Sequence, residues 1–345
     1  MQVNTSSCTK REEFFKRIMT VVAHLTYDSI GKQEGRIRDL INEPRTQYPL
    51  IKKKGLWQQL CSSLDVIGDT ELAIAAYTAQ KMGSDKGSVY LAVYGLLQSL
   101  VLQQDAVFHL CESLDIKGIR SKYPRLEEIR EIRNDSIGHP TKRDRTRKGK
   151  NASNSYHGIS RISLSYEGFQ LFTSDETGDF KFNRISIPDL LAAQNRDISL
   201  ILTSIIEMLE QAVIAHKDQF KEEKLVDIFS PSLGYHMQKV FLHIPNRENA
   251  QFAAVNLNVI KKALEDFQTA LEKRGSELGT YDIIEDLYNL LAYPMAELEA
   301  YFQHLEKGET PNINEKTAHI FAFFISKKLD ELIAVAVEID EDYAE

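Results

Sequence analysis

Between Ser88 and Ser113 the chain is apolar around almost the whole circumference of a helix. Tyr90, Leu91, Val93, Tyr94, Leu96, Leu97, Leu100, Val101, Leu102, Ala106, Val107, Phe108 and Leu110 leave no continuous polar face. A helix of that kind must be covered on most sides by other elements. Helices elsewhere in the chain can supply the cover. Only 17 Gly and 9 Pro occur in 345 residues, and the stretches between them are rich in Leu, Ile, Ala, Glu, Lys and Gln, which favours a mainly α chain. The length suggests roughly two domains. Three polar residues of the apolar helix stand out. Gln98, Asp105 and His109 follow one another at steps of seven and four, which places them on one face. A carboxylate there must find a partner, so the stripe reads either as an internally hydrogen-bonded structural feature or as the lining of a site.

Helical periodicity recurs on both sides. An amphipathic segment over residues 10–42 carries Phe14, Phe15, Ile18, Val21, Val22 and Leu25. Two further helices are expected over 51–64, with Trp57, and over 71–81, before the Gly83, Ser84 and Gly87 interruption. A helix over 125–134 shows Leu126, Ile129 and Ile132 on one face. Residues 157–187 change character: Ile162, Leu164 and Tyr166 alternate with polar residues, and Phe169, Leu171, Phe180, Phe182 and Ile185 follow around an Asp175–Asp179 turn. This predicts a small antiparallel β-meander inserted into a helical bundle. A long helix resumes at Ile187, Pro188 and Asp189. Beyond the charged 217–224 stretch, three-four patterns over 251–273, 283–305 (around Pro294) and 316–337 predict a C-terminal helical bundle ending in an acidic tail, Glu338–Glu345. The expected organisation is an N-terminal segment over 1–69, a helical domain with the β insertion over 70–220, and a C-terminal domain over 221–345.

Bulk properties narrow the function classes. The first residues lack the apolar core of a secretory signal and no apolar run approaches ~18 residues, so a soluble cytoplasmic protein is expected. Cys8, Cys61 and Cys111 lie far apart, with no zinc spacing. His236 and His243 sit seven apart without a third ligand, and they are read as structural or surface residues. P-loop, GxGxxG, HExxH and GxSxG patterns are absent, and no metal or cofactor is expected. The net charge of −8 argues against a coat of basic charge for non-specific nucleic-acid binding, and nothing signals DNA. One locality is basic: Lys142, Arg143, Arg145, Arg147, Lys148 and Lys150 stand against Asp144, a net +5. Such a run is ordinarily a solvated loop.

Directly before that run lies Arg133-Asn134-Asp135-Ser136-Ile137-Gly138-His139. Arg133 falls in the last turn of a helix that Gly138 and Pro140 bring to an end, with His139 just beyond it. A permanently charged guanidinium beside an imidazole of reference pKa near ~6.5 is equipment for phosphodiester chemistry without a metal. The arrangement of Arg133, Asn134 and His139, with five residues between the Arg and the His, resembles the HEPN superfamily (higher eukaryotes and prokaryotes nucleotide-binding). The resemblance covers roughly residues 70–216. It implies an up-and-down helical bundle and a metal-independent endoribonuclease, of the toxin or antiphage abortive-infection type, whose site is completed across a homodimer. Arg133 would stabilise the phosphate, His139 would act as base or acid, and Asn134 would bind phosphate or orient His139. Asp105, with Gln98 and His109, would line the site, and the basic residues Lys142, Arg143, Arg145, Arg147 and Lys148 would contact the RNA backbone. HEPN toxins paired with nucleotidyltransferase antitoxins carry a Tyr two positions after the His. Here that position is Thr141, which speaks against that partner, although an antitoxin or another protein could still dock on the C-terminal helices. Two other readings stand beside this one: a non-catalytic HEPN-like module that binds protein or nucleotide, and a structural Arg133 that interacts with a helix C-terminus beside a loop His139.

Overall fold

The computed structural model describes residues 29–43, 54–79, 83–145, 153–276 and 281–344. The amphipathic stretch expected before residue 29, Cys8, and the cations Arg147, Lys148 and Lys150 lie outside them. Among the described residues the protein is mainly helical with a small antiparallel sheet. Its helices are α1 (Ile30–Asn42), α2 (Lys54–Thr78), α3 (Lys86–Ser113), the single turn α4 (Ile119–Lys122), α5 (Pro124–Arg133), α6 (Ile187–Phe220), α7 (Leu233–His243), α8 (Ala250–Lys273), α9 (Asp282–Lys307) and α10 (Glu315–Ala344). The strands β1 (Arg143–Arg145), β2 (Ser153–Ile159), β3 (Gly168–Asp175) and β4 (Phe180–Ser186) form a meander in chain order. The chain divides into two compact units: residues 1–40 with 53–209, and residues 41–52 with 210–345. The expected boundary at 69/70 falls inside α2. The other division comes within α6, earlier than the charged 217–224 stretch suggests.

α3 is the axis of the first unit. Asp85 caps its N-terminus, accepting from the Ser88 amide at 3.1 Å, a cap typically worth about 1 kcal/mol. Val93, Leu97, Leu100, Val107 and Leu110 are fully enclosed or nearly so, and each such side chain contributes about 1.5–3 kcal/mol. α2, α5, β3, β4 and the start of α6 supply the cover through Tyr77, Ile129, Phe169, Leu171, Ile185, Ile187 and Leu191. Coverage is incomplete: Leu91, Tyr94 and Leu102 are exposed. A polar chain also runs through this interior. Gln104 Nε2 donates to Gln194 Oε1 at 2.9 Å, Gln194 Nε2 donates to Gln103 Oε1 at 3.0 Å, and Gln103 Nε2 donates to Glu71 Oε1 at 2.7 Å. Burial pushes the Glu71 carboxyl above its ordinary value, with the Gln103 bond pulling the other way.

Three expectations change. The helices expected over 51–64 and 71–81 are one continuous α2, because Gly68 and Thr70 do not break it. Thr70 Oγ1 instead turns back to the carbonyls of Val66 and Ile67. Ile162, Leu164 and Tyr166 belong to the connection between β2 and β3, not to a strand: Leu164 and Tyr166 reach the core while Ile162 is exposed. The sheet also begins earlier than expected, since Arg143–Arg145 pairs with Ser153–Ser155 as an edge strand.

In the second unit, α7 to α10 enclose Leu257, Ile260, Phe267, Leu298, Phe302, Ile325 and Leu332. The expected acidic tail is the last turns of α10. Asp340 accepts the amides of Leu225 and Val226 at 2.8 and 2.9 Å, and Tyr343 is buried. A run of acidic residues looks solvated in sequence, but here Asp340 is turned inward. Among the described residues, α6 alone is long and apolar enough by composition to cross a membrane. Its buried face carries Ile198, Ile201, Leu202 and Ile205 together with the hydrogen-bonded Gln194, the mixture expected of a core helix.

Candidate active site

The motif is built on a change of helical pitch. α5 ends at Arg133, and the next five residues, Asn134–Gly138, widen into a π-turn closed by the His139 amide donating to the Asn134 carbonyl at 2.8 Å. Such turns are rare and concentrate at functional sites. His139 then leaves the helical region, with φ −137° and ψ 52°, as expected before Pro140. The turn folds the motif back on itself. A Cβ on Gly138 would lie 3.1 Å from Arg133 Nη1 and 3.4 Å from Asn134 Oδ1, so the guanidinium rests over Gly138, next in the chain to His139.

Arg133 is held by uncharged partners. Nε and Nη2 donate to Gln98 Oε1 at 3.0 and 2.6 Å, and Nη1 donates to Asn134 Oδ1 at 2.9 Å. One N–H on each terminal nitrogen remains uncommitted among the described residues. The other two arginines of α5 are ion-paired: Arg125 with Glu128 at 2.7 Å and Arg130 with Asp105 at 2.6 Å. Arg133 is half-buried and, among the described residues, has no carboxylate partner. His139 is exposed, and its side chain makes no hydrogen bond among the described residues.

The stripe on α3 thus resolves into three different roles. Gln98 meets Arg133. Asp105, two turns further on, pairs with Arg130 and lies 3.6 Å from Arg120, so it serves the α3–α5 packing and does not reach the Arg133 guanidinium. His109 is exposed, and its carbonyl accepts from Gln59 at 3.4 Å. A shared helix face did not distinguish them, because α5 crosses that face along only part of its length.

The basic segment also divides. Lys142 is exposed. Arg143, expected to contact RNA, is instead committed inward, donating to Asp135 and, at 2.8 Å, to Glu131. The Glu131 hydrogen bond, with that of Asp135, holds its guanidinium above the ordinary value despite burial. The backbone of Arg145 belongs to β1.

Behind the turn lies a cluster that sequence reasoning missed. Asp135 is buried between Arg143 and His157, whose Nε2 is 3.4 Å from Asp135 Oδ1 and 2.9 Å from Ser155 Oγ. The other imidazole nitrogen is 3.0 Å from Thr173 Oγ1, and the His157 amide donates to the Pro140 carbonyl at 2.7 Å. The sheet therefore braces the motif on both sides of His139. The available signal was the placement of a carboxylate inside the motif itself, followed by an Arg and a His on the inward parity of the strands. Among the described residues no group of His, Cys, Asp and Glu is arranged to hold a metal ion. His236 Nδ1 donates to Asn256 Oδ1 at 2.7 Å, and His243 lies at the other end of α7. Cys111 is buried, which pushes its thiol up to about 11 and leaves it unreactive at neutral pH.

Compared with known proteins, the chain matches no family model, no curated protein and no solved structure.

Proposed function

We propose that the protein is a metal-independent endoribonuclease of the HEPN type, acting as a toxin or antiphage effector. One observation carries the reading: Arg133, held among the described residues by two amide oxygens and no carboxylate, sits at the head of a π-turn whose far end presents an exposed His139. In RNA the 2′-OH can attack the adjacent phosphate if a base removes its proton, a cation stabilises the growing charge, and an acid protonates the leaving 5′ oxygen. The uncommitted N–H groups of Arg133 face the second requirement. His139 answers one of the other two. A single imidazole cannot give and take a proton in the same step, and no second titratable side chain bonds His139 among the described residues. The reading therefore includes a second copy of the chain, whose own His139 completes the site.

The test is cleavage of structured RNA in EDTA by the full-length protein. Arg133→Ala is expected to lower the rate about 10²–10³-fold and His139→Ala about 10²–10⁴-fold, with unchanged unfolding curves and with 2′,3′-cyclic phosphate ends on the wild-type products. Cleavage that survives both substitutions, or that needs a divalent cation, overturns the proposal.

A further inference from the structure

α3 carries a second feature beside Gln98. Tyr90, Tyr94 and Gln98 succeed one another at four-residue steps, so they share one stripe, with neighbours roughly 6 Å apart along the axis. The two tyrosines meet edge to face at 5.7 Å, and Tyr94 is 40% exposed. With Gly158, Arg161 and Phe172 they line an open hollow of about 600 Å³. The floor is set by a glycine: a Cβ on Gly158 would lie 2.3 Å from Phe172 Cζ, so only glycine lets that ring lie across β2. Phe172 stands directly opposite Phe182 of β4, which is 64% exposed, and the aromatic surface thus continues across the sheet.

We infer that this hollow is a base-stacking subsite for single-stranded RNA, placed to hold a base next to the phosphate that Arg133 engages. The inference rests on RNA being the ligand, as in the proposed function. Aromatic faces with an adjacent guanidinium are the usual means of gripping an unpaired base, and exposed aromatics on an antiparallel sheet serve the same purpose. The surface is better suited to a nucleotide than to a protein helix. Its rings are largely tyrosines and phenylalanines around a concavity, Arg161 stands at the edge, and the tyrosine stripe leads straight to Gln98, which grips Arg133. A strand lying along α3 would place base and phosphate on neighbouring turns of one helix.

Binding of a fluorescent single-stranded 2′-O-methyl ribo-oligonucleotide to the full-length protein tests this. That strand has no free 2′-OH, so the result does not depend on whether the chain is a nuclease. Tyr94→Ala and Gly158→Ala are expected to weaken binding about 10- to 100-fold, while Tyr94→Phe, which keeps the ring, binds like the wild type. An oligonucleotide with abasic positions should bind the wild type as weakly as the intact one binds Tyr94→Ala. Tyr94 is exposed, so its truncation leaves the fold intact; Gly158→Ala is checked by circular dichroism. Equal affinity of wild type and Tyr94→Ala overturns the subsite, as does failure of the wild type to bind. Loss of self-association in Tyr94→Ala with RNA affinity unchanged would make the surface a protein interface and also overturn it. Tyr94-dependent binding without any RNA cleavage keeps the subsite and removes the nuclease.

Discussion

Arg133 and Arg274 occupy equivalent local positions, one the last residue of α5 and the other the cap after α8, yet their surroundings assign them opposite work. Arg274 is 3% exposed. It donates to the Glu223 carbonyl, lies 3.6 Å from Asp340, and is stacked between Phe220 and Tyr343 at 5.6 and 4.7 Å. Asp340 in turn accepts two backbone amides. That charge is neutralised and sealed, and it pins the end of α10 in the second unit. Arg133 is positioned just as firmly, but by neutral amide oxygens at the surface of the first unit. An arginine fixed by amides is oriented without being neutralised, and its field remains available to an anion. Both are arginines at the C-terminal end of a helix, and what separates them is the charge of their neighbours.

The contrast can be broken in order of size. Arg274→Ala leaves Asp340 buried without its cation and is expected to destabilise the second unit by about 3–5 kcal/mol in urea unfolding. Retention of wild-type stability would show that the cluster is dispensable and the contrast empty. Gln98→Glu gives Arg133 what Arg274 already has, a carboxylate partner. RNA cleavage is expected to fall about 10-fold or more while stability is held or slightly raised; undiminished activity would mean that the uncompensated charge has no role. The smallest effect concerns the amide chain beneath the site. Glu71 is raised by burial, so its folded state binds the proton more tightly than the unfolded chain. Its contribution is present below the unfolded pKa and is lost as pH rises through the folded one. Glu71→Gln keeps the acceptor for Gln103 and should flatten that decline over the weakly acidic range, as read by thermal melting at several pH values. An unchanged pH profile would show that Glu71 does not feel its burial.

Much of the helical framework was legible because α3 and α6 carry periodicities that only burial can satisfy. Pro188 and Asp189 likewise mark the start of α6. The misreadings share a cause. Ile162, Leu164 and Tyr166 alternate like a strand, but strand formation needs a partner backbone in register, and here the segment turns Leu164 and Tyr166 inward while Ile162 stays exposed. Arg143 reads as one cation among six, and only the pairing of β1 with β2 turns it toward Asp135 and Glu131. For the site, Arg133, Asn134 and His139 were visible as a local pattern. The distinction between Gln98 and Asp105 was not, because it depends on where α5 crosses α3, a long-range fact that no window of sequence contains.

The π-turn has a consequence for recognising the same device in other chains. Because the widened turn lays the guanidinium on Gly138, where a Cβ would come within 3.1 Å of Arg133 Nη1, the residue before the histidine is part of the turn's geometry and not filler. A search by Arg and His alone would gather many accidental pairs. A pattern of Arg-Asn, three free positions, then Gly-His, joined to an amide side chain about 35 residues upstream on a buried helix, describes a physical object, and each added term removes coincidences that the shorter pattern admits.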